Sequence, residues 1–441
     1  MSRKIIGEEK EVKLIVYKNQ IKKILEKKSV NNGMWLYLLQ FFNTVVPLIT
    51  IPYITRILGA NQYGVFSIVL NIVTYLQVVV EYGFGLSATR QVVLRSDKDD
   101  LSKLFSQVFF SRLLLFGLSF GSVMIYVLAS NITIEEKLCY VILTSALVGY
   151  CFQQNWLFQG MQEMKFISIT SVLARGLTTV FIFLLVKTPD DILIYCILYS
   201  LAPVISNILA MIIAMCRYKV KIVVVKWIDI IQALKDGMYI FFTQLSSKVF
   251  GSIGITLLGI FSTSYDVGIF SALYKIPYLL TLVWSPISQA IYPISSEKIM
   301  KSFAIGYKFI CKIRLYCIAF FAVIGCIISI FAIPICSIAF GEEYSRYFYV
   351  IYPLIAWVIV AINNNFLGTQ ILVGSGHDKE YSICFQIGIV FTIVMNVICV
   401  YFGGMLGAGF APMLSEIFLW LLLRYCVKKM RKDYSQRQGE L

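Results

Sequence analysis

Seven charged side chains stand inside stretches that are otherwise almost wholly apolar: Arg56, Glu81, Arg112, Arg175, Lys248, Lys275 and Glu416. A charge at a bilayer centre costs roughly 2.5–3.5 kcal/mol on insertion scales, so such residues normally face a cavity or a partner. The cations can grip an anionic group through charge-assisted hydrogen bonds. Glu81 and Glu416 are ion-coupling candidates, because a carboxyl in a dry site can exchange a proton with the aqueous phases. Each residue also has a plainer reading. A long side chain can snorkel to the interface, and a carboxylate can pair structurally with a nearby Lys or Arg. Arg112, about two turns from a helix end, is expected to snorkel. Arg56 also lies near a span end, whereas Arg175, Lys248 and Glu416 are close to mid-span.

Helical spacing groups these charges with polar neighbours. Gln244, Ser247, Lys248, Gly251 and Ser252 recur at the period of one helix face. Ser271, Tyr274, Lys275, Tyr278, Thr281 and Ser285 do the same. Gln40, Asn43 and Thr44, and then Asn71, Thr74, Tyr75 and Glu81, supply two further stripes. Tyr274, Tyr278 and Tyr75 add aromatic faces and hydroxyls to these stripes, or serve in ordinary aromatic packing.

The elements that must carry these stripes are membrane helices. The chain is 59% hydrophobic and only 14% charged, with a mean hydropathy of +0.78. Soluble domains carry about 25% charge. Apolar runs of about 20 residues follow one another, each long enough to span a bilayer core. Their continuity excludes a barrel of alternating strands. Twelve spans are expected near 34–58, 65–90, 105–130, 138–160, 166–187, 191–215, 238–261, 269–295, 314–340, 348–373, 381–402 and 406–427.

The chain is one unit written twice. Tyr63-Gly64-Val65-Phe66-Ser67 returns 204 positions on as Val267-Gly268-Ile269-Phe270-Ser271, and Ala202-Pro203 returns 209 positions on as Ala411-Pro412. A weaker echo links Gly160, Lys165 and Ser168 to Gly374, Lys379 and Ser382. Six spans per copy give parallel repeats about an axis along the membrane normal. The predicted organisation is an extension (1–33), an N-lobe (34–215), a linker (216–237), a C-lobe (238–427) and a tail (428–441). The repeat brings the four stripes together around a central cavity.

Of the 39 Lys and Arg residues, 31 fall in the terminal segments and even-numbered connections or at their edges, which predicts both termini to be cytoplasmic. The same distribution explains the net charge of +15 without nucleic acid, which is not expected as a partner. The amphipathic stretch 11–28 suits an anionic membrane surface or a plain charged extension. The eleven cysteines form no CxxC pair and the single histidine, His377, has no ligand neighbours, so no disulfide framework or metal site is predicted. No phosphate loop or nucleophile elbow is present, so an enzyme is not expected.

Pro52-Tyr53-Ile54-Thr55-Arg56-Ile57-Leu58-Gly59, with Tyr63-Gly64-Val65-Phe66, resembles the first hairpin of Wzx-type flippases, the O-antigen and capsule repeat-unit flippases of bacteria. Glu81-Tyr82-Gly83-Phe84-Gly85-Leu86-Ser87-Ala88-Thr89-Arg90 resembles the end of their second span, and Trp156-Leu157-Phe158-Gln159-Gly160-Met161 resembles their fourth. The resemblance runs through all twelve spans, except that the charged N-terminal extension lies outside the usual pattern. It implies an all-α integral membrane fold of two six-helix lobes, like that of multidrug and toxin extruders. It implies an oligosaccharide repeat unit on undecaprenyl pyrophosphate as substrate, the bacterial inner membrane as location, and a polysaccharide polymerase and chain-length regulator as partners to look for. Arg56 and Arg90 match family-motif positions. Arg175, Lys248, Lys275, Gln244, Tyr274 and Tyr278 complete the expected binding set from depth and stripe. No cofactor is expected, and coupling to H⁺ or Na⁺ stays open. A lipid II-type flippase, a multidrug/ion antiporter and a non-transporting assembly scaffold remain the alternatives.

Overall fold

The computed structural model describes residues 2–94 and 98–439, with the side chains of 31–94, 98–432 and 434. The amphipathic face expected over 11–28 lies outside the described side chains. Among the described residues every regular element is helical, because a backbone in lipid must satisfy its own hydrogen bonds. The N-terminal half holds α1 (Ser2–Glu81), α2 (Phe84–Leu94), α3 (Lys98–Ala129), α4 (Ile134–Ser145), α5 (Leu147–Cys151), α6 (Asn155–Gly160), α7 (Lys165–Leu185) and α8 (Ile192–Tyr218). The C-terminal half holds α9 (Trp227–Phe261), α10 (Ser264–Leu273), α11 (Lys275–Lys301), α12 (Phe303–Ile330), α13 (Ala332–Phe340), α14 (Glu342–Ser345), α15 (Ile351–Asn365) and α16 (Asp378–Gly439). A π-helical stretch, Phe366–Leu372, follows α15.

Nine described helical stretches are long and apolar enough to cross a membrane. Two of them hold two crossings each, because α1 leaves helical geometry at Gly59 (φ 70°) and α16 at Gly404 (φ 52°). Both turns lie in the left-handed region that glycine enters without steric cost. The connections expected at 59–64 and 403–405 are therefore kinks rather than loops. The expected fourth span is broken into α4, α5 and α6. The set is consistent with twelve crossings. Outside the helices, the connection between the halves is only residues 219–226.

The acids on the cation-poor face have local work. Thr263 and Asp266 form a reciprocal capping box at the start of α10, and Thr188 and Asp191 form one ahead of α8. Thr133 and Glu136 do the same for α4.

The buried core shows how the lobes meet. Toward the cation-poor face one apolar cluster runs through both lobes, from Ile54, Phe66 and Tyr195 to Ile269, Tyr344 and Ile351. Toward the opposite face it divides. Phe84, Phe105 and Trp156 belong to an N-lobe cluster, and Leu280, Trp284 and Phe366 to a C-lobe cluster. The molecule is thus joined at one end, while at the other the lobes part on the α11 side and stay in contact through the start of α9, whose Ala233 belongs to the N-lobe cluster. The join uses the repeated motif: a Cβ on Gly64 would lie 1.7 Å from the Ser264 carbonyl oxygen, and one on Gly268 1.9 Å from that of Ala60. Lipid supplies no hydrophobic drive between helices, so small residues that let backbones touch hold such seams together.

Candidate functional site

The four stripes meet across the split. Asn71 Nδ2 of α1 donates to Thr256 Oγ1 of α9 at 2.7 Å, and Tyr75 Oη lies 3.2 Å from the same hydroxyl. About two and three turns earlier along α9, Lys248 and Gln244 are half-buried. Lys275 of α11 is also half-buried, and its charge is within electrostatic reach of Lys248. Neither lysine forms an ion pair among the described residues. Tyr274 stacks on Trp357 at 5.5 Å and on Tyr278 at 5.9 Å, extending an aromatic wall beside Lys275.

Lys275 and Tyr278 line a cavity of about 500 Å³ together with Thr44, Pro47, Leu48 and Ile51 of α1 and Ile328 and Ile335 of α12 and α13. Apart from Lys275, Thr44 and the Tyr278 hydroxyl, its walls are apolar. On the other flank the lobes are closed by Tyr82 stacked on Phe241 at 4.6 Å, and by Lys103 3.9 Å from Asp229. The opening therefore lies between α1 and α11.

The remaining expected residues are dispersed. Arg175 is exposed and donates from Nη1 to Asn43 Oδ1 at 2.7 Å, joining α7 to the cavity face of α1. Glu81 accepts from Gln77 at 3.0 Å and from Gln153 at 3.4 Å. Arg90 is exposed on α2 and lines none of the cavities described. Arg56 sits at the joined end, where its guanidinium donates to the carbonyls of Ser337 (3.2 Å) and Ile338 at the end of α13. Glu416 is buried inside the C-lobe, where it accepts from Asn364 Nδ2 at 2.7 Å and from the Trp357 indole. A small cavity of about 50 Å³ lies beside it, lined by Tyr274, Trp357, Asn396 and Ser415.

Arg112 corrects an expectation. It does not snorkel: it is 1% exposed, enclosed in the N-lobe. Its guanidinium donates to the Gln153 carbonyl at 2.5 Å, lies 5.8 Å from the Phe84 ring, and is within electrostatic reach of Glu81. Distance from a helix end does not predict snorkelling when neighbouring helices cover that end and supply partners. Asn364 was also missed, although the run Asn363-Asn364-Asn365 inside an apolar span was visible in the sequence.

Comparisons with known proteins agree with this architecture. The family model described as "Polysaccharide biosynthesis protein" matches residues 29–298, more than half of the chain. Two relatives carry the name "Putative O-antigen transporter". The one from Escherichia coli (strain K12) is 27% identical, over 80% of this chain and 85% of its own length. The one from Shigella dysenteriae is 25% identical, over 90% and 99%. Among solved structures, the lipid II flippase MurJ in an inward closed conformation superposes with a TM-score of 0.66 at 13% identity, covering 90% of this chain and 87% of that one. An inward-facing multidrug resistance MATE family transporter superposes at 0.58 and 16%, covering 88% and 99%. These likenesses bear out the all-α, two-lobed membrane fold, and the matched model shows that the chain belongs to the polysaccharide biosynthesis protein family.

Proposed function

We propose that this membrane protein is a flippase for oligosaccharide repeat units linked to undecaprenyl pyrophosphate, working by alternating access across the bacterial cytoplasmic membrane. The observation that carries the reading is the half-buried pair Lys248 and Lys275, without carboxylate partners among the described residues: Lys275 lines a cavity whose walls are otherwise mostly apolar, and Lys248 is within electrostatic reach of it. A polar, anionic head needs compensating charge while its polyprenyl tail stays in lipid. The lysines answer the first need, and the opening between α1 and α11 answers the second. The seam at Gly64 and Gly268 would open as the split end closes, exposing the site to the other side. Both termini lie on the cytoplasmic side in this reading.

A cation antiporter on the same fold would want carboxylates at the cavity. No carboxylate lines it among the described residues, and Glu81 of the α1 stripe is engaged by Gln77, Gln153 and the charge of Arg112. We assign Glu416 the coupling role, if an ion gradient drives transport, since it is buried beside a cavity next to the Tyr274 wall. A polysaccharide polymerase and a chain-length regulator are the partners this function would need.

The test is replacement of Lys248 and Lys275 by Ala in a strain that depends on this chain for surface polysaccharide. Loss of surface polymer at unchanged protein abundance is expected. Normal export by both variants would refute the cationic site. Export that survives with a changed sugar or lipid preference would favour the lipid II-type reading.

A further inference from the structure

The repeat offers a comparison that points to a second site. In the N-lobe, the cleft between α3 and α8 is closed by the inter-lobe connection. Val220 is buried there in one cluster with Leu104 of α3 and Met211 of α8. The Lys221 and Val223 amides donate to the hydroxyls of Ser102 (3.2 Å) and Ser106 (2.8 Å). At the repeat offset, the matching cleft lies between α12 and the last part of α16. No segment among the described residues closes it.

That cleft is a pocket of about 450 Å³ floored by Leu367 and lined by Arg314, Arg424, Lys428, Arg431, Trp420 and Tyr307. None of the four cations forms an ion pair among the described residues. Arg424 lies 5.1 Å from the Trp420 ring and Arg431 5.5 Å from that of Tyr307, so both guanidiniums are oriented by aromatic faces. A second space of about 450 Å³ adjoins at Tyr307 and Arg431. Beside it, Leu315, Tyr316, Leu421 and Tyr425 are exposed, with Tyr425 at 69%. Cations above exposed apolar side chains at the charged end of a helix pair match the layout of a lipid, headgroup over chains.

We propose that this cleft is a binding site for an anionic phospholipid, its phosphate held by Arg314, Arg424 and Arg431 and its acyl chains lying over the exposed face of α12 and α16. A phosphodiester fits better here than the diphosphate of a transported carrier. Leu367 at the cleft and Leu280 at the cavity wall belong to one packed C-lobe core with Trp284 and Phe366, so the two sites are separate spaces with no lining residue in common. The site is independent of the transport reading.

The experiment uses the full chain in neutral detergent, with phosphatidylglycerol titrated in and retained lipid counted by native mass spectrometry. Each basic residue near such a surface contributes about 1 kcal/mol. The triple variant R314Q/R424Q/R431Q should thus bind phosphatidylglycerol on the order of a hundredfold more weakly. R424Q alone, at an exposed position, should lose about fivefold and keeps the test open should the triple variant not fold. The cavity variant K248Q/K275Q should bind like the parent. Unchanged retention by the triple or single variant overturns the site. So does loss confined to K248Q/K275Q. Displacement of the lipid by undecaprenyl pyrophosphate at equal concentration would assign the cleft to the carrier instead, and binding of soluble diphosphate as tight as that of the lipid would show that no lipid is required.

Discussion

The two lobes are copies of one fold with opposite treatments of charge. In the N-lobe, Arg112 is sealed among Gln153, Phe84 and Glu81, and at its basic end Arg217 grips Glu163 through Nε–Oε2 (2.6 Å) and Nη2–Oε1 (2.5 Å) contacts. Its cleft is plugged by the chain itself. In the C-lobe, Lys275 lines a cavity with Lys248 within electrostatic reach of it, and four cations line an open cleft, all without carboxylate partners among the described residues. A neutralised charge stiffens a lobe, whereas an unneutralised one is available to a ligand. Duplication thus copied the helices and left the charges free to diverge, which in the proposed function makes one lobe the frame and the other the binding surface.

The largest test of this contrast sets Arg112 against Arg424. Leaving a buried acceptor without its donor costs about 1–3 kcal/mol, so Arg112→Met, which strands the Gln153 carbonyl, should lower thermal stability in detergent. Arg424→Met, at an exposed cation, should change it by about 1 kcal/mol or less. Equal losses would break the frame-and-surface distinction. The seam makes the opposite forecast, since there the lobes should behave alike. Overpacking costs about 1–3 kcal/mol. Gly64→Val and Gly268→Val should each shift the conformational equilibrium about 5–150-fold away from the joined state, read as increased labelling of a cysteine introduced at the joined end. A response to only one of them would show the seam to be asymmetric.

Smaller effects probe the plugged cleft. Ser106→Ala removes the acceptor of the Val223 amide and should cost about 1 kcal/mol, with faster hydrogen exchange over 219–226. Glu163 gives a pH signature. Arg217 foremost, helped by the Tyr218 hydroxyl, pulls its carboxyl down from 4.5 to about 2. The folded value lies below the unfolded one, so the stabilisation is complete above about pH 4.5 and is lost as pH falls toward 2. Glu163→Gln should cost about 1 kcal/mol or less at neutral pH and flatten that acid dependence. An unchanged acid limb in the variant would assign the dependence to other groups.

Much of this was legible in the residues. Long apolar runs dictate helices, because hydrocarbon leaves a backbone no other partner. The repeated Gly64 and Gly268 phrases announced two lobes, and the structure found the physical reason for the repeat in a backbone contact that admits no side chain. The stripes on α1, α9 and α11 were readable from helical period, and they converge as expected. Position within a helix was a poorer guide. Arg175 shares the mid-span charge signal with Lys248, yet it holds Asn43, and Arg56, nearer a span end, caps the carbonyls of α13 rather than joining the cavity.

What the sequence determined by itself was the medium, the helices, the duplication and the family resemblance, all set by local chemistry and by order along the chain. What only the tertiary structure decided was which charges are matched. Arg112 is silent because Gln153, 41 residues away, folds against it, and the cations of α12 and α16 stay available because no carboxylate among the described residues pairs with them. Electrostatic pairing depends on distance in space, and two helices written a hundred residues apart acquire that distance only when the lobes pack.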